Sequence, residues 1–248
     1  MFESLPKIRT RLPLAYEKIY DEHYQNNREG NGKTTSISKK MESWMHKIVA
    51  KDVVLGCIDG IKTLEIGAGN LNHLKYEPNG NSYDVVEPYS ELLNSSCKKN
   101  KIGTTYTDIS QISNKKYDRI ISIACFEHVL NLPLLVAHSC KLLNTNGQLR
   151  VAIPNEGTFL WKLGTMVTGF EFKRKYGLDY EILMKHEHVN TADEIDAILN
   201  FFFKDVKCKV FGINKKIAFY RFYICKTPNT KNVKYYFSTK TNSTSNSN

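Results

Sequence analysis

The run Thr63-Leu64-Glu65-Ile66-Gly67-Ala68-Gly69-Asn70 constrains the fold of this chain more than any other stretch. It is a short apolar strand that ends in an acid and breaks into two glycines one residue apart. Glycine reaches positive φ and carries no Cβ, so a chain leaving a buried parallel strand can turn at Gly67 and Gly69 and lay its backbone against a ligand. A dinucleotide site asks for a third glycine at position 72, where this chain has Asn72. Glu65, two residues ahead of Gly67, suits a ligand bearing an ammonium or sulfonium and would repel a pyrophosphate. Taken alone, the loop also reads as an ordinary glycine turn after a strand.

Two more strand-like runs keep the same rhythm. Ser82-Tyr83-Asp84-Val85-Val86-Glu87 is a second short strand ending in an acid, and Glu87 lies about twenty residues past Gly67, the spacing at which an acid in a βαβ unit accepts from ribose hydroxyls. Thr104-Thr105-Tyr106-Thr107-Asp108-Ile109 is a third β-prone run, ending in Asp108. Any one of these acids can be a solvated strand terminus. Three in register mark the carboxyl edge of an open α/β sheet, where ligands bind. Strands are predicted over 61–66, 82–87, 102–107, 118–124 and 147–153 with helices between them, an alternation that implies a parallel sheet covered on both faces. Helices are predicted over 14–28 and 38–56. Thr191 to Glu194 forms a capping-box pattern, and 206–211 with 217–225 reads as a hairpin turning at Gly212-Ile213-Asn214.

With these motifs in place the chain resembles the class I S-adenosylmethionine-dependent methyltransferases, in particular the group with the methyltransferase type 11 pattern. The resemblance rests on TLEIGAGN, DVVEP, YTDIS and YDRIISIACFEHV, runs from about Gly60 to Pro154, and extends more loosely to Lys226. It implies a doubly wound, Rossmann-like α/β fold with a seven-stranded, mostly parallel sheet, an antiparallel last strand and helices on both faces. It implies S-adenosyl-L-methionine as cofactor, with Glu65, Gly67, Ala68 and Gly69 shaping the methionine end of the pocket. It further implies Glu87 on the ribose, Asp108 and Ile109 on adenine, and the backbone of Ser122, Ile123 and Ala124 beneath the methyl donor. These motifs are specific for the cofactor and nearly silent on the acceptor.

Methyl transfer needs a nucleophile near the sulfonium, a group to take its proton and a site that excludes water. His128, just past the fourth strand, is the best placed base, because an imidazole titrates near working pH; Glu127 and His128 also read as residues that simply cap a helix. The segment 156–190 is expected to carry acceptor choice. Its stretch Thr158 to Phe170 is too apolar for a solvated loop and too short to span a bilayer, and reads as a lid or as a helix packed on the sheet edge. His186 and His188 close it, His188 as a candidate substrate-facing residue, and surface or core positions are the alternative. Two histidines and one acid in Lys185-His186-Glu187-His188 fall short of a zinc set; similar chains of the ubiquinone pathway carry Glu-x-x-Glu-His after the fourth strand and are associated with a divalent metal, but Ala124 stands here in place of the first acid, so no metal is expected. Tyr20, Tyr24 and Arg28 recur at four-residue spacing, which puts Arg28 where it could pair with the cofactor carboxylate or lie exposed on a packing helix.

The expected organisation is an N-terminal helical region, 1–56, closing the cofactor pocket, a core over 57–227 and a polar, disordered tail over 228–248. Six cysteines without CxxC or CxH spacing read as free thiols of a reducing cytoplasm. No apolar stretch reaches the roughly twenty residues of a membrane span, so membrane contact is expected to be peripheral at most. The net charge of +10 invites nucleic acid, but the basic residues are scattered, with no arginine-rich arm or aromatic RNA-binding strand. The favoured acceptor is therefore a small molecule or glycan, methylated at oxygen. No Asn-Pro-Pro-Tyr follows the fourth strand, which disfavours the amino-methylating enzymes of DNA and glutamine. RNA or protein methylation and a cofactor-binding regulatory module without turnover are the other readings, and a dehydrogenase is a third. Oligomeric state is not legible.

Overall fold

In the computed structural model, which describes residues 5–20, 36–56, 60–94 and 96–245, seven strands form one sheet in the order β3-β2-β1-β4-β5-β7-β6. They are β1 Lys62–Ile66, β2 Ser82–Val86, β3 Thr105–Tyr106, β4 Tyr117–Ile123, β5 Leu143–Pro154, β6 Phe203–Asn214 and β7 Ile217–Pro228. Strands β1 to β5 pair in parallel, and β7 runs antiparallel to both β5 and β6, so β7 alone points the other way. The chain enters at β1, winds outward to β3, then returns to lay β4 on the other side of β1. That reversal opens a crevice at the carboxyl ends of β1 and β4.

Side chains alternate across the sheet with the strand period of two. Leu64, Ile66, Val86 and Ile120 face one core, which also holds Val136, Ile195, Leu199 and Phe202. Tyr83, Val85, Ile121, Ile123, Ala152 and Phe222 face the other, under Met45 and Val49. The first face is covered by α4 (Leu132–Leu142), α7 (Ala192–Phe202) and α8 (Thr230–Ser245), and the second by α2 (Ser36–Gly56). Helix α7 shows why a helix forms there. Thr191 and Glu194 close the capping box, and Ile195, Ile198, Leu199 and Phe202 recur at helical spacing on the buried stripe. Truncating Phe202 to Ala would cost about 3–5 kcal/mol. The remaining helices are α1 over 14–20, α3 Ser90–Asn94, α5 Phe159–Tyr176 and α6 Tyr180–Glu187. None of the helices among the described residues is long and apolar enough to cross a membrane.

The structure corrects the sequence reading in three places. Strand β3 is two residues long, and Ile102 to Thr104 reach it without pairing as strand. The hairpin turns at Lys215-Lys216, where Asn214 Oδ1 accepts from the amides of Lys216 and Ile217 at 2.9 and 3.0 Å. Gly212 sits instead in a bulge of β6, where a Cβ would lie 2.4 Å from the Ile217 carbonyl oxygen. Lastly, the tail expected to be disordered is helical over Thr230–Ser245. Val233 and Tyr236 are buried in the core with α4 and α7, and the Tyr236 hydroxyl donates to Asn131 Oδ1 at 3.2 Å. The polar average of the tail hid one apolar stripe.

Candidate active site

A cleft of about 680 Å³ opens at the carboxyl ends of β1, β2 and β4. One wall is the glycine loop. Gly67 has φ +74° and donates its amide to Val86, and a Cβ on it would meet Cys125 Sγ at 2.4 Å. The glycine is thus required by a left-handed backbone and by the side chain that follows β4, a packing reason that the sequence does not display. Glu87, 3% exposed, ties this loop to the end of β2: one carboxylate oxygen accepts from the Gly69 amide at 2.7 Å and the other from the Tyr89 amide at 3.0 Å. Each oxygen retains a second lone pair for a hydroxyl.

Glu65 lies beneath the loop, also 3% exposed, and accepts from the Tyr83 hydroxyl at 2.7 Å. Burial pushes its carboxyl up to about 8, against the downward pull of that hydrogen bond. A cation in the cleft would favour its ionised form. Ile123 and Ala124 line the floor; Ala124 has φ +48° and donates its amide to Ala152. A non-glycine residue in that region is held there by its surroundings.

The second wall is assembled from distant segments. The turn Phe126–His128 follows β4, and the amides of Val189 and Asn190 donate to the Glu127 carbonyl at 2.8 and 3.0 Å. The Asn190 side chain donates to the carbonyls of Phe126 and Val129, stitching the end of the 156–190 segment onto this turn. His188 is thereby brought edge-to-face with His128, ring centroids 4.7 Å apart. His128 Nδ1 lies 2.9 Å from the Glu187 carbonyl, and His188 Nδ1 lies 2.6 Å from Glu156 Oε2. Carbonyls and ionised carboxylates only accept, so both Nδ1 atoms carry the proton and each neutral ring presents a lone pair at Nε2. Trp161 of α5 stacks on His188 at 5.9 Å.

Beside the two rings lies Glu127, 2% exposed, with one carboxylate oxygen lacking any hydrogen-bond partner among the described residues. Burial raises its carboxyl to about 7, opposed by the nearby His188. Burial acts to lower His188, but the Glu156 hydrogen bond and the carboxylates of Glu127 and Glu187 outweigh it and raise the imidazole above its usual value.

Of the residues expected at the site, Glu65, Gly67, Ala68, Gly69, Glu87, Ile123, Ala124, His128 and His188 line the cleft or its floor. Ser122 does not: it is buried and donates to the Ile66 carbonyl at 3.1 Å, holding β4 to β1. Asp108 and Ile109 do not line it either. Asp108 is exposed and caps the following turn through Ser110, while Ile109 is core. Asp108 lies two residues past Tyr106, whose carbonyl accepts the Glu87 amide. Arg28 and Tyr24 lie outside the described residues; Tyr20 lines the cleft.

Several lining residues escaped the sequence reading. Arg9 spans to the carbonyls of His128, His186 and Glu187 at 3.0, 3.0 and 3.3 Å, clamping the segments that carry both imidazoles. No periodicity announces it. His46 and His73, also on the cleft wall, meet Nδ1 to Nδ1 at 3.0 Å, and His73 Nε2 lies 2.8 Å from Glu77, itself paired with Arg119. Since Glu77 is held ionised by these partners, His73 donates to it and accepts from His46. The buried charges behind the glycine loop thus fix the tautomer of a histidine at its surface.

A family model described as a methyltransferase domain matches residues 36–199. No curated protein sequence matches the chain. Among solved structures, magnesium protoporphyrin IX methyltransferase (ChlM) from Synechocystis PCC 6803, with bound S-adenosylhomocysteine, is 14% identical with a TM-score of 0.57, covering 86% of this chain and 97% of its own. The plantazolicin methyltransferase BpumL, in complex with a triazolic desmethylPZN analogue and S-adenosylhomocysteine, is 16% identical with a TM-score of 0.59, covering 86% and 95%. The CurJ carbon methyltransferase is 18% identical with a TM-score of 0.56, covering 86% and 61%. At such identities the likeness speaks for the fold.

Proposed function

The chain belongs to the S-adenosylmethionine-dependent methyltransferases, and we propose that it methylates an oxygen of a small-molecule or glycan acceptor. The observation that carries this reading is the pair of oriented imidazoles on the cleft wall, each with its Nδ1 proton committed. An imidazole lone pair can take the proton of a hydroxyl as the oxygen attacks the sulfonium methyl. The C–O bond forms as the S–C bond breaks, and the cofactor leaves as the neutral thioether. His128 is the proton acceptor in this reading and His188 holds the acceptor hydroxyl, with Trp161 as an apolar face for the remainder of the acceptor.

On the cofactor side Glu65 meets the cationic methionine end, Glu87 the ribose, and Asp108 the adenine amino group through the carboxylate oxygen not used on Ser110; Ile109 supports that turn from the core. Arg28 is kept as a candidate for the cofactor carboxylate. Helix α5 is assigned as the cover over the acceptor. The charge of +10 lies mostly outside the cleft, whose only Lys or Arg among the described lining residues is Arg9; this favours an acceptor that is not a polyphosphate chain. The test is methyl transfer from labelled cofactor to a panel of phenols, nucleotide sugars, lipid-linked glycans and RNA, with the methylated atom mapped. Transfer to RNA alone, or to nitrogen alone, would overturn the assignment.

A further inference from the structure

We propose that His46 binds the cofactor: its Nε2 lone pair and the Glu42 carboxylate take the α-ammonium of the methionine moiety, and a buried chain from Arg119 through Glu77 and His73 holds its imidazole in the accepting tautomer. The inference rests on reading this end of the cleft as the methionine end. Glu42 and His46 stand one turn apart on α2, and both line the cleft together with Glu65, Gly67 and His73. His46 is 8% exposed and His73 1%, so each ring must place its nitrogens on definite partners.

The chain of hydrogen bonds runs in one direction. Arg119, 2% exposed on β4, only donates, and its Nη1 and Nη2 reach the two Glu77 oxygens at 2.9 and 3.2 Å. Burial works to raise the Glu77 carboxyl, but the His73 hydrogen bond and the Arg119 charge outweigh it and hold the group below its ordinary value. An ionised carboxylate only accepts, so His73 Nε2, 2.8 Å away, carries a proton. Burial lowers the His73 imidazole against the pull of Glu77, so the ring stays neutral and its Nδ1 is a lone pair. His46 Nδ1, 3.0 Å from that lone pair, must donate to it. The neutral His46 ring is left with a bare acceptor at Nε2, and Tyr76, stacked on it at 5.1 Å and 4°, fixes the ring plane.

That acceptor faces a second one. Glu42 Oε1 lies 3.9 Å from His46 Nε2, beyond a direct hydrogen bond. Two acceptors at this spacing can share one nitrogen donor, since such bonds run at about 2.9 Å. An ammonium supplies several N–H groups and the matching charge, whereas a carboxylate would meet only acceptors. Glu65, on the same end of the cleft, adds a further acid, and Arg9, the only Lys or Arg among the described lining residues, is committed to carbonyls of the imidazole wall. In the sequence Glu42 with His46 and His73 with Glu77 are two pairs at four-residue spacing, each readable as a helix-surface pair. Nothing in either pair reveals that the second makes the first an acceptor.

The experiment is calorimetry on the full chain, without acceptor, using S-adenosylhomocysteine, its decarboxylated and deaminated analogues, and methylthioadenosine, which lacks the amino-acid end. His46→Ala should weaken S-adenosylhomocysteine and the decarboxylated analogue by about 10- to 100-fold, the scale of a hydrogen bond to a charged group. Affinity for the deaminated analogue and for methylthioadenosine should not change. Glu77→Gln should reproduce this pattern from outside the cleft: its carbonyl accepts from Arg119, its amide donates to His73 Nε2, the His73 proton moves to Nδ1, and His46 Nε2 becomes a donor. Nitrogen NMR of the imidazoles should show His46 protonated at Nδ1 in the parent chain and at Nε2 in Glu77→Gln. Circular dichroism verifies that each variant is folded; if His46→Ala is not, the nearly isosteric Glu77→Gln decides, and the parent spectrum stands without either. An equal loss for methylthioadenosine in a folded variant, a loss that follows the carboxylate instead of the ammonium, or a parent His46 protonated at Nε2 overturns the assignment. The outcomes separate from those of the proposed function: a parent chain that binds none of the four ligands defeats the cofactor site itself, and transfer to nitrogen or RNA defeats the acceptor assignment while leaving these affinities as they are.

Discussion

The two walls of the cleft are built in opposite ways. The glycine loop and the ends of β1 and β2 lie within about two dozen residues, tied by Glu87 to the amides of Gly69 and Tyr89 and by Glu65 to Tyr83. The imidazole wall joins the turn after β4 to the end of α6, with Glu187 and His128 59 positions apart, and is clamped by Arg9 from the N-terminal segment. The first wall is dictated by strand geometry and, in the proposed reading, answers to the cofactor. The second depends on the docking of the 156–190 segment, and in the proposed reading it is the wall that sets acceptor choice while the first holds the cofactor.

The sharpest way to break this comparison is at Gly67. Gly67→Val should abolish S-adenosylhomocysteine binding in calorimetry and destabilise the fold by several kcal/mol, combining strain at φ +74° with the clash on Cys125. Adding Cys125→Ala should restore part of the stability and none of the affinity. If affinity returns as well, the glycine serves packing only and the loop is not a cofactor wall.

Next come the imidazoles. His128→Ala should lower turnover by about two to four orders of magnitude at saturating acceptor while S-adenosylhomocysteine affinity changes little. His188→Ala should raise the acceptor KM as well, since it loses both the hydroxyl contact and its stacking with Trp161. A large loss of cofactor affinity in either variant would show that the two walls are not independent.

A smaller effect is expected at Glu87. Glu87→Ala should weaken cofactor binding by about 1–3 kcal/mol, the scale of hydrogen bonds to a charged group. Because the same carboxylate anchors the Gly69 amide, the thermal midpoint should fall too. Glu87→Gln separates the roles, for it keeps an acceptor for one amide and loses the charge. A drop in melting temperature with unchanged affinity would make Glu87 purely structural.

The same contrast explains what the sequence could reveal. Glu65, Gly67 and Glu87 were legible because strand period, glycine spacing and strand-end acids are local signals. All seven strands, the last two as a hairpin, and the helix at Thr191 are legible from local patterning of the same kind. The His128–His188 pairing was not legible, because it depends on Asn190 and Arg9 bonding to backbone carbonyls, and such bonds leave no mark in residue type or spacing. Gly212 shows the converse error: a residue typical of turns placed the turn wrongly, since a bulge needs glycine for the same steric reason. Helix α8 was missed because three consecutive aromatics, Tyr235 to Phe237, are diluted by a polar tail, although Tyr236 is 1% exposed.

The last and smallest expected effect tests the electrostatics of the first wall through pH. Glu65 has its folded-state pKa raised to about 8 from an ordinary 4.5. The cofactor-free folded chain therefore binds more protons at this group than the unfolded chain between those values, and its contribution to stability is fully present below 4.5 and lost as pH rises toward 8. A cationic ligand reverses the preference by favouring the carboxylate. S-adenosylmethionine affinity should thus rise with pH, by at most about tenfold between pH 7 and 8, and flatten above. Binding should release a proton near neutrality, measurable as a dependence of calorimetric heat on buffer ionisation. Glu65→Gln should remove both the slope and the released proton while leaving the imidazole wall untouched. A slope that persists in Glu65→Gln and vanishes in Glu127→Gln would place the titrating acid on the opposite wall, and with it the cationic end of the cofactor.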